Sequence, residues 1–227
     1  MLMLPVRIRS SQVRPVITAQ RPFHQIISQR SNMAGKHFEP PQPIDEATFK
    51  PDPSKSIKLS PQRQALLDDI LALYACQPSV ERIKRYTPDA VYDDQFGYAN
   101  NRYKIAGQWF ALPKLFSASE NVAHEVIRND DDLIQYKSQQ KWTFRLLSKS
   151  TIMQSVVSLS LDPATKDSNF IQIKYHKDQS EPDESSKEGL GFNLKKWQAD
   201  NVPKHLDEER MKVFKQDNLS SNESEGK

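Results

Sequence analysis

The stretch 134–146 alternates without a break. Tyr136, Ser138, Gln140, Trp142, Phe144 and Leu146 fall on one face, and Gln135, Lys137, Gln139, Lys141, Thr143 and Arg145 on the other. Successive side chains of a strand point to opposite faces, so this pattern requires a strand with one dry and one wet side. It is longer than the usual strand of roughly five or six residues. A long half-polar strand of this kind implies a bent sheet that closes over a core rather than a flat one.

The flanking sequence supplies what the sheet closes over. Ser60 is a good N-cap, Pro61 suits the first helical position, and Leu66, Leu67, Ile70, Leu71 and Tyr74 recur at helical spacing up to Pro78. Ser79 opens a second, short helix with Val80, Ile83 and Tyr86 inward, and Thr87-Pro88 stops it. A short strand over 90–96 follows, then a helix over about 105–117 with Trp109, Leu112 and Phe116 along one side. Pro113 falls inside that helix and predicts a kink or an early break. Strands are expected over 121–129, 133–147, 151–161 and 169–177. The fold class is α+β: a curved antiparallel sheet wrapped around N-terminal helices as a cone-shaped, cystatin-like roll, with disordered N- and C-terminal tails.

Charge separates the tails from the domain. Residues 1–38 carry Arg7, Arg9, Arg14, Arg21, Arg30 and Lys36 and no acid, so the net charge of +3 arises there and not on a basic binding face. An arginine-rich, acid-free segment with serine and glutamine has the composition of a mitochondrial transit peptide, which implies a matrix location. A cytoplasmic protein beginning at Met33 is the alternative. Residues 39–59, with Pro40, Pro41, Pro43, Pro51 and Pro53, read as a proline-rich linker. The domain spans 60–200, with a short amphipathic helix over 189–199, and 201–227 form a charged, largely disordered tail. Cys76 is the one cysteine, which excludes an intramolecular disulfide and a cysteine-based zinc site. The five histidines show no metal-binding spacing, so no metal is expected. No apolar run approaches the roughly 20 residues that span a bilayer, so no membrane insertion is expected. Gly189-Leu190-Gly191 lacks the Lys-Ser/Thr of a phosphate loop.

The order of helix, helix, short strand, helix and long sheet resembles the nuclear transport factor 2-like superfamily, the cone of SnoaL and ketosteroid isomerase. Tyr86-Thr87-Pro88-Asp89-Ala90-Val91-Tyr92-Asp93-Asp94 looks like that family's lead-in to its first strand. Tyr175-His176-Lys177-Asp178-Gln179, with Glu188-Gly189-Leu190-Gly191, is similar to a fungal branch of such proteins. The resemblance covers roughly 60–197. It implies a conical pocket and often a homodimer through the outer sheet face. It does not imply one activity, because the fold hosts enzymes, binding proteins and scaffolds.

Acid–base chemistry in such a cone needs a carboxylate or histidine inside an apolar pocket. His124 lies between Val122 and Val126 on their face and is the candidate base, as in dehydratases of the resembled family. Asp94 shares a face with Tyr92 and Phe96, so Asp94 and Tyr92 complete a candidate acid–base cluster, while Asp93 points the other way. The structural alternatives are a hydrogen-bonded core histidine and a carboxylate at the sheet margin. Trp109, Tyr136, Ser138, Gln140, Trp142 and Phe144 would line the pocket, although aromatics at this spacing are also ordinary core. His176 is expected to face outward with Lys174 and Asp178.

Two readings follow. One is a module that binds a small apolar ligand or a protein partner and forms a homodimer. The other is a dehydratase- or isomerase-type enzyme that needs no cofactor, using His124 and Asp94, with Tyr92 or Tyr136 polarising a carbonyl. The second requires His124 and Asp94 to reach one cavity. Nucleic-acid binding is not expected, because Lys137, Lys141 and Arg145 form only a short stripe on the wet face of one strand.

Overall fold

The computed structural model describes residues 38–44, 48–145, 150–180 and 209–217. The basic segment 1–37, the helix expected over 189–199 and the last residues, 218–227, lie outside them. Helix α1, Pro61–Tyr74, opens with the Ser60 hydroxyl accepting from the Arg63 N–H, a cap worth about 1 kcal/mol. It closes with Cys76 in the left-handed region, φ 59°. The Cys76 N–H then reaches the Leu73 carbonyl and the Gln77 N–H the Ala72 carbonyl, both at 3.0 Å. This paired closure satisfies two of the terminal carbonyls. The Tyr74 carbonyl is taken by the sheet instead, from Ser119 Oγ at 2.7 Å and Gln140 Nε2 at 3.3 Å. The end of α1 is therefore pinned to two strands, and Tyr74 is pinned with it.

A one-turn helix α2 (Val80–Ile83) leads to β1 (Tyr86–Asp93) and the two-residue β2 (Tyr98–Ala99). Then come α3 (Arg102–Leu115), β3 (Phe116–Asn129), β4 (Leu133–Phe144), β5 (Ser150–Leu161), β6 (Ile173–Ser180) and a final turn of helix, α4 (Glu209–Lys212). α3 starts earlier than expected because Asn101 Oδ1 caps the Lys104 N–H at 2.9 Å. Pro113 sits in its last turn, so the helix ends rather than kinks, and β3 begins at once.

The strand order is β2-β1-β6-β5-β4-β3 in one open sheet. Every pair is antiparallel except β1 and β6, which run parallel. The α+β fold with a mainly antiparallel sheet is as expected, and the one parallel pair makes the sheet mixed. Parallel neighbours need a long connection, and α3 with the four strands β2 to β5 supplies it. The inner face of the sheet carries Ile134, Tyr136, Val157, Leu159 and Ile173 against Leu66, Leu67 and Ile70 of α1 and Ile105, Trp109 and Phe110 of α3.

Two segments expected to stand apart are packed. The wet face of β4 is covered at Gln135 and Lys137, both buried. Residues from the proline-rich stretch lie across that side. Gln42 Nε2 donates to Ser160 Oγ at 2.8 Å, Gln135 Nε2 to the Pro43 carbonyl at 3.4 Å, and the Asp52 N–H to Glu125 Oε2 at 2.7 Å. The Ile57 N–H bonds the Val126 carbonyl at 2.9 Å. Glu125 itself is paired with Lys137 at 3.7 Å, each side chain 7% exposed. At the other end of the chain, Met211 and Phe214 enter the core, and Arg102 holds Asp217 at 2.7 Å. Apolar spacing of a single helical turn is too short a pattern to stand out from a charged tail.

Phe214→Ala is expected to destabilise the protein by about 3 kcal/mol, the usual cost of emptying an aromatic core site. Urea denaturation reads this directly, and a change below about 0.5 kcal/mol would show that the terminal segment contributes nothing to the core.

Candidate functional site

The site is built where Tyr74, the last residue of α1, meets β6. Opposite β5, Ser160 pairs with Tyr175 but Leu161 pairs with Ile173, so Lys174 is an extra residue in β6. Such a bulge shifts the alternation by one. Ile173 faces the core, and after the bulge His176 and Asp178 face it too. The expectation that His176 points outward is therefore corrected: it is 0% exposed.

Four side chains then form one chain of hydrogen bonds. Tyr86 Oη lies 2.9 Å from His176 Nδ1, and Tyr74 Oη lies 3.2 Å from His176 Nε2. The Tyr74 hydroxyl donates to Asp178 Oδ2 at 2.6 Å. A hydroxyl has one proton, so Tyr74, by donating to Asp178, must accept from His176. His176 then carries its proton on Nε2 and accepts from Tyr86 at Nδ1, a neutral tautomer with both nitrogens satisfied. Burial pushes the His176 pKa down to about 3, in agreement with that tautomer. The aromatic rings of Tyr86 and Tyr92 pack on the imidazole, with centroids at 5.9 and 4.8 Å.

Asp178 is the acidic end of this chain. Its Oδ1 is buried and has no hydrogen-bond partner among the described residues. Burial, with the charge of Asp94 adding to it and the Tyr74 and Ser155 hydroxyls opposing it, raises its pKa to about 6. Asp94 is held differently. Its Oδ1 accepts the backbone N–H groups of Phe96, at 2.7 Å, and of Gly97, which fixes the turn between β1 and β2. Its Oδ2 accepts from the Tyr92 hydroxyl at 2.7 Å.

Above these groups lies a cavity of about 360 Å³. Tyr74, Tyr92, Trp109, Trp142, Leu112 and Met153 wall it, Asp94, Asp178 and Ser155 supply polar atoms, and Phe96, Leu115 and Phe144 stand at its exposed rim. Its lining among the described residues includes no lysine, arginine or histidine.

Of the residues singled out in the sequence, Tyr92, Asp94, Trp109, Ser138, Gln140, Trp142 and Phe144 line this cavity. Tyr136 does not; it is fully buried in the core, with its hydroxyl unpartnered among the described residues. Ser138 and Gln140 are joined to Asn121, at 3.2 and 3.3 Å, and so tie β4 to β3. His124 is not among the cavity residues. It is half-buried with Nδ1 3.1 Å from Asn121 Oδ1; burial lowers its pKa, and the charge of Asp68 on α1 raises it. His124 and Asp94 thus do not share the cavity. The register shift at Val122 leaves that valine exposed, but His124 keeps the face of Val126, opposite Ser138 of β4, and lies on that face outside the cavity. The residues the sequence reasoning missed, His176 and Asp178, are two titratable groups two apart on one strand. That spacing was visible, but the face was not, because one bulged residue decides it.

No cluster of His, Cys, Asp and Glu suited to a metal ion occurs among the described residues. No described helix is long and apolar enough to cross a membrane.

No family model matches the chain, and no curated protein matches it. Solved structures do resemble it. A nuclear transport factor 2-like protein from Anabaena variabilis is 9% identical with a TM-score of 0.46, over 54% of this chain and 88% of that one. A hypothetical protein with a ketosteroid isomerase-like fold from Catenulispora acidiphila, in complex with trimethylamine, is 9% identical at 0.40, over 50% and 82%. A ketosteroid isomerase-like protein from Erwinia carotovora is 15% identical at 0.42, over 53% and 94%. At TM-scores under 0.5 these likenesses carry no argument about what this chain does.

The buried pair makes opposite contributions to acid stability. His176 has a folded pKa below its unfolded value, so its contribution is present above about pH 6.5 and is lost as pH falls toward 3. Asp178 has a raised folded pKa, so it favours the fold only when protonated, and that contribution is lost as pH rises through about 6. Asp178→Asn is expected to be the more stable protein above pH 7, by up to about 3 kcal/mol, with the advantage gone by about pH 4. Urea unfolding across this range checks it, and an advantage independent of pH would refute the assignment. In NMR, the His176 ring resonances should not titrate between pH 8 and 5.

Proposed function

We propose that the protein binds a small, largely apolar molecule in the cavity above Asp178. The observation that carries this reading is an aromatic-walled space of about 360 Å³ with a buried carboxyl oxygen that lacks a partner. Small-molecule sites are commonly of this size and kind, mostly apolar with a few placed polar groups. The apolar rim at Phe96, Leu115 and Phe144 offers an entrance that wets poorly and favours apolar entrants.

A second reading is favoured by one further feature, the acidity of Asp178. A carboxyl near pKa 6 is ionised at neutral pH yet a better proton acceptor than an ordinary aspartate. In a water-poor cavity it suits proton transfer of the isomerase or dehydratase type, which needs no cofactor. In this reading Asp178 takes the role that the sequence suggested for His124, Tyr92 and Asp94 orient the substrate, and the Tyr74–His176–Tyr86 chain holds the base. A mitochondrial location and a homodimer complete the proposal, supported by the composition of 1–38 and by the family resemblance.

The test is binding of the neutral fluorescent probe N-phenyl-1-naphthylamine to the full chain. Its emission should rise on binding, and Leu112→Trp, which fills the cavity, should weaken binding at least tenfold. Val122→Trp, at an exposed site outside the cavity, should leave it unchanged. No enhancement, or equal loss in both variants, would overturn the pocket reading.

A further inference from the structure

We infer that the molecule this cavity takes carries a protonated amine on an apolar frame, and that Asp178 is the group that receives it. The inference rests on the pocket reading above and adds the charge and class of the ligand.

The argument starts from which polar atoms of the cavity are already committed. The Tyr74 hydroxyl donates to Asp178 Oδ2 and the Tyr92 hydroxyl to Asp94 Oδ2. Gln140 gives its amide hydrogens to the Tyr74 carbonyl and to Ser119 Oγ. The Tyr74 and Tyr92 hydroxyls are thus spent on the protein itself, whereas Trp109 Nε1, which also lines the cavity, is a buried donor without a partner among the described residues. What Asp178 itself presents at the wall is an acceptor, Oδ1, buried and with no hydrogen bond of good geometry among the described residues, beside a Ser155 hydroxyl that also supports its charge. An ionised carboxylate accepts only, so the ligand group that completes it must donate. A ketone, ether or carboxylate group placed at Asp178 Oδ1 would bring an acceptor to an acceptor.

Charge narrows the class further. Asp94 and Asp178 both line the cavity, and the charge of Asp94 raises the cost of ionising Asp178. No lysine, arginine or histidine is among the described residues that line it. His176, beneath, is neutral with both ring nitrogens committed. A neutral donor such as an alcohol would satisfy Oδ1 but not the charge. A cation does both, and a charged donor makes the stronger bond.

The walls fit the same ligand. The rings of Tyr74, Tyr92, Trp109 and Trp142 surround the space, with Tyr74 and Trp109 centroids 5.0 Å apart edge to face and Tyr92 and Trp109 5.4 Å apart in the same manner. Aromatic faces attract an ammonium group and its alkyl substituents, more so away from water. The apolar frame would then run toward Leu112, Phe116 and the rim.

The experiment compares three probes of one shape on the full chain by NMR titration at pH 7.5: N,N-dimethylbenzylamine, which is protonated there, its neutral carbon analogue isobutylbenzene, and the anion phenylacetate. The amine should bind at least tenfold more tightly than isobutylbenzene, and phenylacetate more weakly than either. Asp178→Asn should abolish the preference for the amine while leaving the affinity for isobutylbenzene unchanged. Equal binding of amine and carbon analogue, or a preference that survives Asp178→Asn, overturns this inference and leaves the pocket reading standing. Binding of none of the three, together with no response to N-phenyl-1-naphthylamine, overturns both.

Discussion

The hydroxyl of Tyr74 is the joint on which the site depends. It donates to Asp178 and accepts from His176, so one proton fixes the tautomer of a buried histidine and the orientation of a buried carboxyl. The same residue closes α1, and its carbonyl is bonded by Ser119 and Gln140 of the sheet. Helix and sheet are thus locked together at the point where the titratable groups meet. A half-satisfied buried polar network is costly, whereas a satisfied one sets a single arrangement. Here the inner three members are satisfied, and the outer one, Asp178, keeps one oxygen in reserve at the cavity wall.

This division explains why neighbouring polar groups have different properties. His176 lies deep, has both nitrogens bonded and stays neutral. Asp94 lies at the β1–β2 turn, where backbone N–H groups hold its charge. Asp178 has burial and a like charge against ionisation and the hydroxyls of Tyr74 and Ser155 in its favour. Environment, not residue type, makes one carboxylate a turn support and the other a group able to act on a ligand.

Much of this fold could be read from the sequence, because alternation and capping are local. The dry face of β4 was legible from Tyr136 through Phe144, and the start of α1 from Ser60 and Pro61. The association of Tyr92 with Asp94 was legible because the two are two residues apart at the end of β1, and their side chains do meet. Long-range pairing was not. Alternation places His176 with Asp178 but cannot say which way both point, and the bulge at Lys174 turned them inward. Nor could it show that Gln42 and Pro43 would cover Gln135, since a proline-rich stretch that packs by isolated hydrogen bonds has no period to detect. Parity put His124 on the face of Val126, where its pairing with Ser138 keeps it, but parity could not show that the cavity opens elsewhere on that face.

The central claim is that Asp178 sits in an environment that resists its ionisation while Tyr74 supports the charged form. The most direct measurement is the pH titration of the Asp178 side-chain carboxyl carbon by NMR, in the wild-type chain and in Tyr74→Phe. The account predicts a midpoint near 6 in the wild type and a higher one in the variant, which lacks the hydrogen bond to the carboxylate. A midpoint near the ordinary value of about 4, unmoved by Tyr74→Phe, would contradict it.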